Sequence, residues 1–330
     1  MKLLDGKKVK DKILNDLKKK LTELDRPLGL VVIQVGEDPA SSVYVRQKVK
    51  MAEMLGYTFW HIKFLEDVTE KELLIEINNL NNDDLVDGIL VQMPIPKHLD
   101  QKIIQNAISP YKDIDGLTDI NMGKLVHNDD TLIPCTPKGI MSLLKFYKID
   151  VEGKNVVIVG RSDLVGKPLA SLMINNHATV TLCHSRSRDL HKITKKADTL
   201  VAAVGKANLI TKDYIKRGTV VIDVGINRLK DGTLCGDVDF NDVKDKVSYI
   251  TPVPGGVGQM TVAELGENTY KAYLLRNKKE SQWRDKIKVD NVKKTLVYFF
   301  YSFEISIFLC LNDAIILFGS RYFPSSNSVV

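Results

Sequence analysis

Apolar residues fall into two kinds of run along this chain. Dense runs at Leu28 to Val35, Gly88 to Met93, Asn155 to Val159, Thr179 to Cys183, Thr199 to Val204 and Thr219 to Val224 read as strands. Between them, apolar positions recur at the spacing of one helix face over Leu3 to Leu24, Ser42 to Leu55, Glu70 to Leu80 and Pro137 to Tyr147. Strands that alternate with amphipathic helices pair in parallel, because each crossover helix carries the chain back to the same end of the sheet. The pattern predicts an α/β protein of two parallel-sheet domains with a cleft between them, the second a Rossmann-type domain.

Turn formers mark the junction. Pro110 to Pro137 holds Asp113, Asp115, Gly116, Asn121 and Gly123, which puts the first domain at 1–120 and the second at 121–259. A helix opening at Met260, where Thr261 and Glu264 match a capping box, is expected to return to the first domain over 260–279. Residues 280–330 differ in character. Leu296 to Phe318 is dense in Phe, Tyr, Leu and Ile but carries Glu304, Asn312 and Asp313. An acidic side chain costs about 2.5–3.5 kcal/mol at a bilayer centre. The stretch is therefore read as an atypical, poorly packed extension in preference to a membrane anchor.

Composition adds limits more than direction. With 330 residues, 44% hydrophobic and 27% charged, the chain has enough apolar material for two cores. Its 47 Lys and Arg against 41 Asp and Glu give +6, and the lysines are scattered among amphipathic stretches, which argues against nucleic-acid binding. Cys135, Cys183, Cys235 and Cys310 are far apart, with no CxxC pairing and no His at ligand spacing, so no metal site is expected and a reducing compartment is. The N-terminal MKLLDGKKVKDKILNDLKKK has no apolar core of an export signal, and a cytoplasmic protein is expected.

Candidate chemistry sits in two places. In VVIVGRSDLVGKP an apolar strand ends at Gly160 and a helix begins near Gly166, a loop of N–H donors at a helix N-terminus suited to a pyrophosphate. Its glycine spacing departs from GxGxxG. The next strand ends in HSRSR, with no carboxylate to accept from ribose hydroxyls, while Arg161, Ser185 and Arg186 offer partners for a 2′-phosphate, so NADP is favoured over NAD. In SSVYVRQKVK, Ser41 or Ser42 is the expected N-cap, and Tyr44 and Lys48 share a helix face. A tyrosine packed beside a snorkelling lysine explains most such pairs. To act as a base, Lys48 needs burial or nearby cations, with Arg46 and Lys50 the candidates in its own segment. Gln92 in DGILVQMPIP, Asp115 in KDIDG, and the Pro252, Gly255 and Gly256 loop of ITPVPGGVGQMT add three more polar or rigid features near expected strand ends.

Taken together, SSVYVRQK, DGILVQMPIP, KDIDG, PCTPKGI, VVIVGRSDLVGKP, VIDVGIN and ITPVPGGVGQMT resemble, in order, the bifunctional methylenetetrahydrofolate dehydrogenase/cyclohydrolase family, over nearly all of residues 1–275. The resemblance implies NADP-dependent oxidation of 5,10-methylenetetrahydrofolate, then hydrolysis to 10-formyltetrahydrofolate, within one-carbon metabolism. It implies Lys48 as the proton-transferring group, Gln92 as its support and Asp115 as the holder of the pterin. Tyr44 would stack on the folate, with Pro252, Gly255 and Gly256 beside it. Gly160, Arg161, Ser162, Ser185 and Ile226 would contact NADP, and the protein would be a homodimer. Gln259 stands where the family usually has proline, and the family offers no counterpart to 280–330.

Two other readings remain on the residues alone. A short-chain-type dehydrogenase would use Tyr44 and Lys48 as a relay, but there the dinucleotide loop precedes the pair. A non-catalytic dinucleotide-binding module would need the Gly160 loop and not Lys48, Gln92 and Asp115.

Overall fold

The computed structural model describes residues 1–278, on two parallel sheets. Lys2–Leu3 is a short strand, β1, and leads into helix α1 (Gly6–Leu21), whose first N–H groups are capped by the Asp5 carboxylate. Strand β2 (Gly29–Val35), helix α2 (Pro39–Leu55), strand β3 (Thr58–Phe64), helix α3 (Glu70–Asn82) and strand β4 (Gly88–Val91) then build a three-stranded sheet in the order β3-β2-β4. Every residue of β2 is buried. Val31, Ile33 and Val35 pack with Leu73 and Ile77 of α3, while Leu30 and Val32 pack with Leu17, Val45 and Leu55 on the other face. A central strand covered on both faces has no polar side to show, which is why its sequence is a continuous apolar run.

Short helices α4 (Gln101–Ala107), α5 (Asp119–Val126) and α6 (Cys135–Phe146) connect to the second sheet. There β5 (Asn155–Val159), α7 (Gly166–Asn175), β6 (Thr179–Cys183), α8 (Leu190–Thr194), β7 (Thr199–Ala202) and β8 (Val220–Asp223) alternate. A small antiparallel pair, β9 (Asn227–Arg228) and β10 (Leu234–Cys235), and helix α9 (Phe240–Val243) precede β11 (Tyr249–Ile250). The sheet order is β1-β11-β8-β7-β5-β6. The chain leaves β5 to one side for β6 and returns to the other for β7, so a crevice opens at the carboxyl end of β5, beside Gly160. Helix α10 (260–278) places Met260 in the core under the second sheet and Ala263, Leu265 and Ala272 in the core under the first.

The sequence pattern is corrected at several ends. The helix expected from Leu3 starts at Gly6, because β11 takes up the preceding residues: Lys2 N–H donates to Ser248 O and Leu4 N–H to Ile250 O. The N-cap of helix α2 is Asp38, so the positions of Ser41 and Ser42 fall inside the helix; the Ser41 hydroxyl donates to Asp38 and to Met93 O. No capping box forms at Thr261 and Glu264, whose side chains meet Thr136 and Ser142; the box forms at Thr69 and Glu72 instead. Met93, Val204 and Val224 lie just past their strands. The apolar stretch Leu296 to Phe318 and Cys310 lie outside the described residues, among which no helix is long and apolar enough to cross a membrane.

Candidate active site

A cleft of about 450 Å³ is walled by α2, the end of β4 and the Asp115 loop on one side, and by the residues after β5 and β8 on the other. Tyr44, Gln47 and Lys48 enter it from α2 at i, i+3 and i+4, one helix face. Lys48 Nζ donates to Gln92 Oε1 at 2.6 Å, and Gln92 Nε2 donates to Met93 O at 2.7 Å, which fixes which end of the amide faces the lysine. Asp115 arrives on a loop tied to β4 by the Ile89 N–H to Lys112 O bond, and to its own downstream turn by Asp113, which accepts from Thr118 N–H and Asn121 Nδ2.

Burial sets the electrostatics here. It pushes the Asp115 carboxyl up to about 6, against the pull of Lys48, with Asp113 adding to the rise. Burial also pulls the Lys48 ammonium below its ordinary range, opposed by Asp115 and Cys135. Arg46 and Lys50, the cations in the same segment, are exposed and play no part in that lowering. Cys135 Sγ lies 4.0 Å from Asp115 Oδ1, and burial raises its thiol well above the usual range, so it stays neutral. An amine eased toward its neutral form, an amide and a carboxyl that titrates near neutrality form a site equipped for proton transfer.

Three large apolar side chains stand open at the cleft wall: Tyr44, Leu164 and Ile226 are 49%, 50% and 52% exposed. Left in water they cost about 25 cal/mol per Å² of apolar surface, so flat ring systems are the natural occupants. Beyond the lining residues Leu164 and Val165, Gly160 turns at φ +125°, where a Cβ would lie 2.1 Å from Ala203 O, and a Cβ on Gly166 would lie 1.9 Å from Gly160 O. Neither position accepts a side chain. Helix α7 starts there with no side-chain cap; Lys167 N–H donates to Ser162 O and Pro168 has no N–H, which leaves the Gly166 N–H and the helix dipole to an anion. Gly160 N–H donates to Cys183 O, which brings exposed Arg161 and Ser162 beside the loop carrying exposed Ser185 and Arg186. These residues fit a phosphorylated dinucleotide.

The profile of the tetrahydrofolate dehydrogenase/cyclohydrolase catalytic domain matches residues 4–115, and that of the same family's NAD(P)-binding domain matches 134–277. The chain belongs to this family. Among its relatives, the bifunctional protein FolD of Bacillus subtilis is 51% identical over 273 residues, 82% of this chain and 96% of that protein. The crystal structure of the bifunctional FolD methylenetetrahydrofolate dehydrogenase/cyclohydrolase from Campylobacter jejuni superposes with a TM-score of 0.82 at 48% identity, covering 84% of this chain and 99% of the other. The Trypanosoma brucei methylenetetrahydrofolate dehydrogenase-cyclohydrolase complexed with NADP cofactor and inhibitor gives 0.78 at 35% identity, over 82% and 97%. As a member of the tetrahydrofolate dehydrogenase/cyclohydrolase family the chain is a dehydrogenase and a cyclohydrolase acting on tetrahydrofolate derivatives.

Within this family member Tyr44, Lys48, Gln92, Asp115 and Ile226 line one cleft. Gly160, Arg161, Ser162 and Ser185 lie outside that lining, on the dinucleotide loops. Pro252, Gly255 and Gly256 also lie outside it; Gly255 O accepts from Gly6 N–H at the start of α1, and the following Val257, Gly258, Thr261 and Val262 reach the cleft instead. Sequence reading missed Cys135 beside Asp115, although PCTPKGI flagged its segment. It also missed Asp223 and Asp237, which together organise the loops after β7 and β8: Asp223 accepts from Gly225, Asp237 and Val238 N–H, and Asp237 from Val204, Gly205 and Lys206 N–H and Asn227 Nδ2. Asp223 had a signal in VIDVGIN; Asp237 had none.

Proposed function

We propose that this cleft carries out both family reactions, NADP-dependent oxidation of 5,10-methylenetetrahydrofolate and hydrolysis of the methenyl product to 10-formyltetrahydrofolate. The observation that carries the reading is the 2.6 Å Lys48–Gln92 pair in the same cleft as Asp115. Tyr44 stacks on the folate, and the Asp115 carboxylate accepts from the pterin N–H groups. Lys48, lowered by burial, takes the proton from the attacking water, and Gln92 aims the amine without adding charge. NADP, when bound, accepts the hydride. Gly160 and Ser162 hold its pyrophosphate, Arg161 and Ser185 its 2′-phosphate, and Ile226 packs beside the rings. Pro252, Gly255 and Gly256 support the substrate side through the turn into α10.

We place the folate domain at 1–120 with α10 and the cofactor domain at 121–259. The unpaired thiols of Cys135, Cys183 and Cys235 support a reducing, cytoplasmic setting. The homodimer implied by the family has a candidate seam in β3, which pairs with β2 on one side and with no strand on the other among the described residues. The test of function is direct. Purified protein with methylenetetrahydrofolate and NADP or NAD is followed for reduced nucleotide and methenylfolate, then methenylfolate is given alone. Reduction of NADP and faster methenyl decay are expected; oxidation without hydrolysis removes the Lys48 role, and silence in both removes the reading.

A further inference from the structure

Behind Asp115 lies a buried polar network that the chemistry above does not use. Asn268 of α10 is fully buried, and its Nδ2 donates to Ile114 O and to Ile133 O, each at 2.8 Å. Ile114 O belongs to the peptide that enters Asp115; Ile133 O belongs to the peptide of Pro134, which precedes Cys135. The same Nδ2 is 3.6 Å from Cys135 Sγ. On its other side Asn268 Oδ1 accepts from Lys138 Nζ at 2.9 Å, and Lys138 pairs with Glu264 Oε2 at 3.0 Å, whose second oxygen accepts from Ser142.

The donor arithmetic makes the assignment specific. An ammonium has no acceptor, so the side of Asn268 that faces Lys138 must be the oxygen. Two carbonyls need two donors, and the amide nitrogen has two. Asp, Leu or Ala at this position leaves the Ile133 carbonyl without a donor and the Ile114 carbonyl with only the weak Cys135 thiol, 3.5 Å away. The clamp spans a close approach: a Cβ on Gly116 would lie 2.6 Å from the Ile133 carbonyl carbon. Lys138 sits on α6, the helix that opens at Cys135, and Glu264 sits one turn before Asn268 on α10. The ion pair therefore holds the amide from behind.

We propose that Asn268 is a positioning residue for Asp115, its carboxamide locking together the two backbone stretches from which Asp115 and Cys135 face the cleft. The inference rests on the reading of Asp115 as the group that holds the pterin. Loss of the amide lets the Asp115 loop open to water, so its carboxyl drifts away from the substrate while Lys48, Gln92 and the dinucleotide loops, on other elements, are untouched.

The experiment compares the full chain with Asn268→Ala and Lys138→Met, and with Thr219→Ala as a control. Thr219 is equally buried, its hydroxyl donating to Ala197 O and Lys216 O away from the cleft. For Asn268→Ala the KM for methylenetetrahydrofolate is expected to rise at least tenfold with the KM for NADP within twofold. The titration of Asp115, followed by 13C NMR of labelled carboxyls and assigned with Asp115→Asn, should move down from about 6. Lys138→Met should give a smaller change in the same two readouts, and serves if Asn268→Ala does not fold. Variants that lose melting temperature like Thr219→Ala but keep the folate KM and the Asp115 titration unmoved overturn the positioning role. An inactive wild-type chain counts against the functional reading alone, because the titration still decides the clamp.

Discussion

Lys48 and Asp115 depart from ordinary titration in opposite directions for one reason, burial, and each departure can be read in solution. The Lys48→Met variant should lose hydrolysis of methenylfolate by at least a hundredfold and keep measurable hydride transfer, because proton removal from water needs the amine and holding the donor carbon does not. Parallel loss of both rates in stopped-flow traces would remove that division. For Asp115 the folded value of about 6 lies above the ordinary 3.8. A carboxyl raised on folding supplies its stability below the unfolded value, and that stability is lost as pH rises through the folded one. Asp115→Asn should therefore stabilise the protein by about 1–3 kcal/mol at pH 8, since a tenfold change in proton affinity corresponds to roughly 1.4 kcal/mol, and by nothing below pH ~4. Catalysis runs the other way. In the wild type, kcat/KM for the folate should fall as pH drops below about 6, since only the carboxylate accepts from the pterin. A denaturation series across pH that finds no stabilisation by Asn at pH 8 would show that Asp115 is not held in an unfavourable state.

At the scale of elements, the loops that end the second sheet are tied by carboxylates. Asp237 Oδ2 accepts from Val204 and Gly205 N–H, and Oδ1 from Lys206 N–H and Asn227 Nδ2. Asp237→Asn turns one acceptor into a donor facing donors, so it should cost about 2–4 kcal/mol in urea unfolding and raise the KM for NADP; a cost under about 0.5 kcal/mol would mean the loops hold themselves. In the Gly160–Gly166 loop, Arg161→Ala should raise the KM for NADP at least tenfold more than that for NAD, and an unchanged ratio would sink the 2′-phosphate contact. Elements differ in how far sequence betrays them. The dense runs of β2 and β5 are legible because both faces are buried. Strand β3, with Thr58, His61 and Lys63 interrupting its apolar positions at a sheet edge, and β1, made a strand only by pairing with β11, are not. The site divides the same way. Lys48, Gln92 and Asp115 lie in local motifs, whereas Asn268 acts on Ile114 and Ile133 across more than a hundred residues, and no local pattern records that contact.

For the whole molecule, the question is how much of the chain the chemistry needs. Every side chain placed in the cleft, and the network behind it, precedes Thr269, and the core shared by α1, α2 and α10 is completed by Ala272, Tyr273 and Leu275. Met1–Leu275 accordingly form one compact unit. The match to the Bacillus subtilis relative takes in 96% of that protein but only 82% of this chain. A chain ended after Lys279 should thus keep kcat and both KM values within about twofold, and unfold at a similar urea midpoint, because the described contacts that orient Lys48, Asp115 and the dinucleotide loops are all kept. The two readouts separate two ways of being wrong. A tenfold rise in one KM with the midpoint unchanged would mean that residues beyond 279 reach the cleft and belong to the catalytic unit. A fall in the midpoint with kcat and KM intact would mean that they cover α10, and that the apolar run Leu296 to Phe318 completes the core of this enzyme.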